Sequence, residues 1–202
     1  MIYQKRNRTK LKDIAYALHL YFDGLSLRKT SKALSSFVKR SHTAIRDWIQ
    51  KYKPERLFFK MAKVAEFIID ETQIKVGSEY IWLWVVIESE TKNILAIRIS
   101  KERNMFVAER FLSDIIDEYG QQPVSTDSCG TWYPQACKYL KLKHHLHSSY
   151  EKSIIERTMQ YIKDRTEGFD DYFPCRKKKC KLKHVKQWFK LFVYEHNKEI
   201  IA

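Results

Sequence analysis

The chain has 202 residues with 44% hydrophobic and 14% aromatic content, enough for one or two domains with a real core and unlike a collagen-type or disordered polymer. Its longest apolar runs, 81–87 and 191–194, are far shorter than the roughly 20 residues that cross a bilayer, and no apolar signal-peptide core follows the basic N-terminus, so an intracellular protein with no membrane span is expected. Net charge is +14 and unevenly placed: residues 1–63 carry 16 Lys/Arg against 4 Asp/Glu, residues 64–171 carry 13 against 18, and residues 172–202 carry 9 against 2. Basic ends attract a polyanion such as DNA or RNA, and an acidic middle is where cation ligands would sit.

Residues 1–12 are polar and basic and read as a loose arm. Asp13 is a candidate N-cap for a helix with Ile14, Ala17, Leu18 and Tyr21 on one stripe, closed by Asp23-Gly24. Ser26 starts a second short helix, and Ser41 caps a third containing Ala44, Ile45, Trp48 and Ile49. Three short helices joined by turns predict a helix-turn-helix unit over residues 1–54, with Pro54 opening a linker. Arg28 in the second helix, and His42, Thr43 and Arg46 near the start of the third, are the candidate contacts to bases and phosphates. The stretch 21–31 resembles the turn before the second helix in transposase and recombinase DNA-binding domains.

Residues 64–70 then read as a buried strand ending at Asp70. A long strand over 79–89 and another over 94–100 predict an antiparallel meander. A helix over 104–119, a short strand over 123–127, a helix over 132–140, a possible strand over 143–147 and a helix over 151–166 follow. The order β-β-β-α-β-α-β-α predicts an α/β mixed sheet flanked by helices over residues 62–170. Residues 171–202 form a basic loop, in which Lys177, Lys178 and Lys179 are candidate phosphate contacts, and a last aromatic helix over 185–197. The four cysteines read as reduced thiols, and the Cys175, Cys180 and His184 spacing is too loose to favour zinc over a phosphate-binding loop.

Three acids carry the chemistry. In a mixed sheet the first and fourth strands can be neighbours, which sets Asp70 and Asp127 side by side at their ends, and a helix packed across them can aim Glu156 at the same point. Carboxylates that close repel unless a cation neutralises them, and an all-oxygen donor set selects Mg²⁺ or Mn²⁺. Two such ions activate an attacking oxygen and stabilise a leaving oxygen in phosphoryl transfer. Glu71 would point to the opposite face of its strand and is left out; Glu151 sits where a helix N-terminus favours an acid anyway. His144 and His145 alternate in a strand, so with His147 they cannot all face one ion, and a structural role is expected.

The segment 67–72 (Phe-Ile-Ile-Asp-Glu-Thr), the Ser125-Thr126-Asp127 step followed by Trp132-Tyr133-Pro134, and Ile154-Ile155-Glu156-Arg157 with Lys163 seven residues after the glutamate resemble the three acidic motifs of DDE-type insertion-sequence transposases, closest to insertion-sequence family six and its archaeal relatives. The resemblance implies a ribonuclease-H-like catalytic core, cleavage at element ends, and joining of the 3′-hydroxyl to target DNA. It implies Asp70, Asp127 and Glu156 as catalytic metal ligands, and Lys163 and Arg157 as DNA contacts. It implies a homodimer acting on two DNA ends in the cytoplasm of a prokaryote, associated with the nucleoid. Only 28 residues separate Asp127 from Glu156, so the strand and helix between them must be compact. A helix-turn-helix DNA-binding protein with an inactive core, and a stand-alone nuclease of the same fold, are the alternative readings.

Overall fold

The computed structural model describes residues 9–52, 63–127, 130–167 and 182–201. The expected linker at Pro54, Cys175, Cys180 and the candidate contacts Lys177, Lys178 and Lys179 lie outside the described residues. The chain divides into two compact units, Met1–Glu55 and Arg56–Ala202.

The first unit is three helices, α1 (Leu11–Phe22), α2 (Leu27–Leu34) and α3 (His42–Lys51). Ala17, Leu18, Tyr21, Phe22, Leu34, Ile45 and Ile49 form its core, at helical spacings that put them on one face of each helix. Ser26 and Ser41 are the N-caps expected for α2 and α3, their hydroxyls accepting from Lys29 N and Ala44 N. Asp13 is not the N-cap of α1: the helix starts two residues earlier, Lys10 takes the cap position without a side-chain bond, and Asp13 sits in the first turn, where its charge suits the helix dipole.

The second unit is a five-stranded mixed sheet in the order β3-β2-β1-β4-β5, built from β1 (Phe67–Val76), β2 (Glu79–Glu88), β3 (Ile94–Ser100), β4 (Val124–Thr126) and β5 (His144–Leu146). β1, β2 and β3 form an antiparallel meander, while β4 and β5 are parallel to β1. This is a ribonuclease-H-like arrangement. One face carries α4 (Met105–Tyr119) and α5 (Trp132–Tyr139), whose Phe111, Leu112, Tyr133 and Ala136 pack on Phe67, Ile69, Trp84 and Val86. On the other face α6 (Ser149–Glu167) packs on β1 and α7 (Leu182–Ile201) on β3. Helices on both faces explain why Phe67-Ile68-Ile69 is buried without alternation.

Two strand expectations are corrected. Residues 64–66 precede the strand rather than belong to it, with Ala65 N bonded to the Glu88 carboxylate. β1 also runs six residues past Asp70, because Glu71–Val76 pairs with Glu79–Trp84 in a hairpin closed at Gly77, whose φ of +65° suits glycine. Asp70 is therefore mid-strand. Pairing with β4 nonetheless ends at Ile69 and Thr126, so beyond that point no strand among the described residues pairs with β1 on this side, and Asp70 lies at the opening.

α6 begins two residues before its expected start, and α7 extends three residues before and four after its expected bounds. No helix among the described residues is long and apolar enough to cross a membrane. α7 also grips the sheet edge, since the Asn197 amide accepts from Ile94 N and donates to Ile94 O, both at 2.9 Å, as a neighbouring strand would. Asn197→Ala removes both bonds and is expected to cost roughly 2 kcal/mol in urea denaturation; an unchanged midpoint would mean that water replaces the side chain without loss.

Candidate active site

Strand β1 and helix α6 frame an open cavity of about 490 Å³, lined by Asp70, Glu71 and Thr72 from the strand and by Glu156, Arg157, Met159, Gln160 and Lys163 from the helix. Residues 156, 160 and 163 fall at i, i+4, i+7, one face of α6, while Ile154, Ile155, Met159 and Ile162 are buried against the sheet. Glu156 is well exposed at the rim, with Lys152 Nζ 3.9 Å from its carboxylate. Arg157 donates from Nε to Ser153 O, leaving the rest of its guanidinium at the cavity.

Asp70 and Asp127 come together because β4 is parallel to β1: Thr126, the last residue of β4, pairs with Ile69, and Asp127 and Asp70 are the residues that follow them. Burial pushes the Asp70 carboxyl up to about 7, with the Glu71 and Asp127 charges adding to the rise and the Glu71 N–H and the Arg103 charge opposing it. The donor set is all oxygen, and at least one of its members ionises reluctantly without a counter-charge. That combination fits a hard divalent cation and gives no reason to expect a soft one.

The acid beside Asp70 is engaged elsewhere. Glu71 faces α5, where its carboxylate accepts the Tyr133 phenol at 2.5 Å and Arg103 Nε at 2.6 Å. Arg103 in turn lies 4.6 Å over Trp82 and 4.4 Å over Trp132. Strand alternation places Glu71 on that face, as expected, but no sequence pattern signals the cluster itself, whose members are separated by up to 62 positions in the chain.

Glu151 is also committed. Ser148 N donates to Glu151 Oε2 at 2.5 Å while Glu151 N donates to Ser148 Oγ, a reciprocal capping box that starts α6. His145 Nε2 lies 3.1 Å from Glu151 and 3.3 Å from Glu66, and these three side chains bring their donor atoms within 4.8 Å of one another. Burial works to raise the Glu151 carboxyl, but the Ser148 and His145 bonds outweigh it and hold it down, while Glu66 is raised by burial and by Glu151 beside it. His144 bonds Thr126 at 2.8 Å and His147 bonds Ser125 at 2.5 Å, so the three histidines hold three different partners.

In the three-helix unit His42, Thr43 and Arg46 are exposed on the first turns of α3. Arg28 lines a shallow cavity of about 440 Å³ with Lys32, Lys39 and Arg40. Lys32 follows Arg28 by one turn of α2, at i+4, whereas Lys39 and Arg40 join them through the α2–α3 turn, in which Ser31 Oγ donates to Arg40 O at 2.6 Å.

A family model described as a DDE domain, DDE_Tnp_IS240, matches residues 64–193. Uncharacterized protein MJ0017 of Methanocaldococcus jannaschii is 35% identical over 199 residues, covering 96% of this chain and 89% of that protein. A transposase for insertion sequence-like element IS431mec of Staphylococcus aureus is 32% identical over 152 residues, covering 70% of this chain and 67% of that protein. Among solved structures, the catalytic core domain of BIV integrase matches with a TM-score of 0.46 and 15% identity, over 62% of this chain and 80% of that one.

The raised Asp70 carboxyl makes a test of its environment. Its folded value near 7 lies above the ordinary 3.8, so the native state holds this proton more tightly, and stability is lost as pH rises between the two values. Asp70→Asn removes the titration. In urea denaturation with chelator present, the stability of the Asn variant over wild type is expected to grow from about pH 4 to about pH 7, by roughly 1.4 kcal/mol for each pH step of about one, and to stay level above. A gap that does not change with pH would show an ordinary, solvated aspartate.

Proposed function

The chain belongs to the DDE-type insertion-sequence transposases, and on that premise we propose that it cleaves DNA at element ends and joins the 3′-hydroxyl to target DNA. The observation that carries this reading is the cleft at Asp70, where acidic groups on β1 and α6 share one cavity with the cations of Arg157 and Lys163. Acids alone would repel a phosphodiester; acids that hold a cation, beside an arginine and a lysine, attract one.

In this reading Asp70, Asp127 and Glu156 are the ligands of Mg²⁺ or Mn²⁺, two ions in all. When bound, such ions lower the cost of forming the attacking oxyanion and offset charge on the leaving oxygen. The remaining work belongs to the chain. Lys163 and Arg157 bind and orient the phosphate from the α6 side, and Glu156, at the exposed rim, closes the ligand set from that helix. Residues 1–54 are the DNA-binding domain, with α3 presenting His42, Thr43 and Arg46 to the major groove while Arg28 contacts the backbone. Residues 62–170 are the catalytic core, and 171–202 supply a further basic surface. Two element ends must be handled together, which calls for a homodimer on DNA.

The test uses supercoiled DNA carrying candidate terminal repeats, with Mg²⁺ or Mn²⁺, scored for nicking and for strand transfer. Asp70→Ala, Asp127→Ala and Glu156→Ala are each expected to drop both products to background while repeat binding persists; wild-type activity in any of them contradicts the assignment. Nicking without joining would instead identify a nuclease, and binding without metal-dependent nicking would identify a DNA-binding protein with an inactive core. Arg28→Ala is expected to weaken binding to all sequences and reduce the salt slope by about 1, whereas Arg46→Ala, if it reads a base, should relax preference at one position by roughly 1–3 kcal/mol, both measured by fluorescence anisotropy.

A further inference from the structure

On β1 the two residues flanking Asp70 contact the elements on either side of Asp127, β4 before it and α5 after it. On one side Ile69 is paired with Thr126, the residue just before Asp127. On the other side Glu71 accepts the Tyr133 phenol at 2.5 Å, and Tyr133 lies in the first turn of α5, six residues after Asp127. We infer that Glu71, acting through Tyr133 and Arg103, is the positioning group that holds Asp127 against Asp70.

The cluster is built for rigidity. The Glu71 side chain is 1% exposed, and its two oxygens divide the work: Oε2 takes the phenol, Oε1 takes Arg103 through Nε at 2.6 Å and Nη2 at 2.5 Å. Charge-assisted bonds of this kind are short and strong, and a buried carboxylate deprived of a partner is costly, so the native contacts tolerate little displacement. Arg103 carries the restraint further, because its guanidinium lies over the Trp132 ring as well as Trp82, which ties the first residue of α5 to the same carboxylate. The turn that leads into α5 is fitted to this ring too. Gly130 has a φ of +101°, and a Cβ there would collide with the Trp132 indole.

The alternation of the strand makes one dipeptide serve both purposes. Asp70 faces α6, and although Glu71 also borders the cavity its carboxylate turns toward α5, where both oxygens are taken up by Tyr133 and Arg103. Without the Glu71 tether, the segment after Asp127 would lose this anchor, and Asp127 itself follows a strand of only three residues. Partners that orient a ligand in this way typically matter by about 10–100-fold in metal affinity.

This inference rests on Asp70 and Asp127 being cation ligands, and the experiment separates the two. Mn²⁺ binding to the full chain is titrated by electron paramagnetic resonance for wild type, Asp70→Asn, Tyr133→Phe, Glu71→Gln and, as a destabilised control away from the site, Asn197→Ala. Tyr133→Phe keeps the ring and removes only the hydroxyl, so it carries the test even if Glu71→Gln does not fold. The expected result is Mn²⁺ binding lost in Asp70→Asn, weakened about 10-fold in Tyr133→Phe and Glu71→Gln, and unchanged in Asn197→Ala. Wild-type affinity in Tyr133→Phe overturns the positioning role while leaving the cation site intact, and so does equal weakening in Asn197→Ala. Mn²⁺ binding that survives Asp70→Asn overturns the cation site and the positioning role together.

Discussion

A largely buried carboxylate placed among other carboxylates is the constraint on which the second unit depends. Asp70 sits mid-strand, under α6, with the Glu71 and Asp127 charges raising its carboxyl and the Arg103 charge pulling the other way. Such a group is held in place by surroundings that are stable for other reasons. Here they are the fully buried run of Phe67, Ile68 and Ile69 before it, the register with β2 and β4 on either side, and two helical layers. The unfavourable electrostatics at Asp70 are what a cation placed there would relieve.

The two faces of β1 divide the remaining tasks. Ile68 and Asp70 look toward α6, where the cleft opens between acid and base; Ile69 and Glu71 look toward α4 and α5, where apolar packing and the Glu71 bonds to Tyr133 and Arg103 hold α5 on the sheet. A second acidic group, Glu66 with Glu151 and His145, lies on the α6 side of the same sheet, four residues before Asp70 in the chain. Its chemistry is accounted for by helix initiation: Glu151 closes a capping box with Ser148, and His145 supplies a positive partner when protonated.

Much of the architecture was legible in the sequence because it follows from short-range rules. The hydroxyls of Ser26 and Ser41, the bounds of β3 at Ile94 and Ser100 and the end of α4 at Tyr119 all come from local chemistry. The adjacency of β1 and β4 is one arrangement that the order of elements allows, and the parallel pairing of the two strands realises it. Other features escaped for physical reasons. Asp70 looked like a strand end because the apolar run stops there, but hydrogen-bond pairing with β2 carries the strand on through Gln73 and Lys75, which face water. Asp13 looked like a cap because the apolar stripe starts at Ile14, yet the backbone turned helical at Leu11. The Glu71–Arg103–Tyr133 cluster, and the approach of Lys39 and Arg40 to the Arg28–Lys32 pair on α2, join residues that no periodicity connects, and only tertiary packing brings them together.

The central claim is that Asp70, Asp127 and Glu156 surround one cation site. Iron-mediated cleavage tests it directly: Fe²⁺ takes the place of Mg²⁺ on the full chain, ascorbate and peroxide generate hydroxyl radicals at the bound ion, and mass spectrometry maps the backbone breaks. Breaks clustered near residues 70, 127 and 156, all suppressed by excess Mg²⁺ and by Asp70→Asn, are the predicted result. Breaks confined to residues near 66, 145 and 151, or no localised breaks at all, would contradict it.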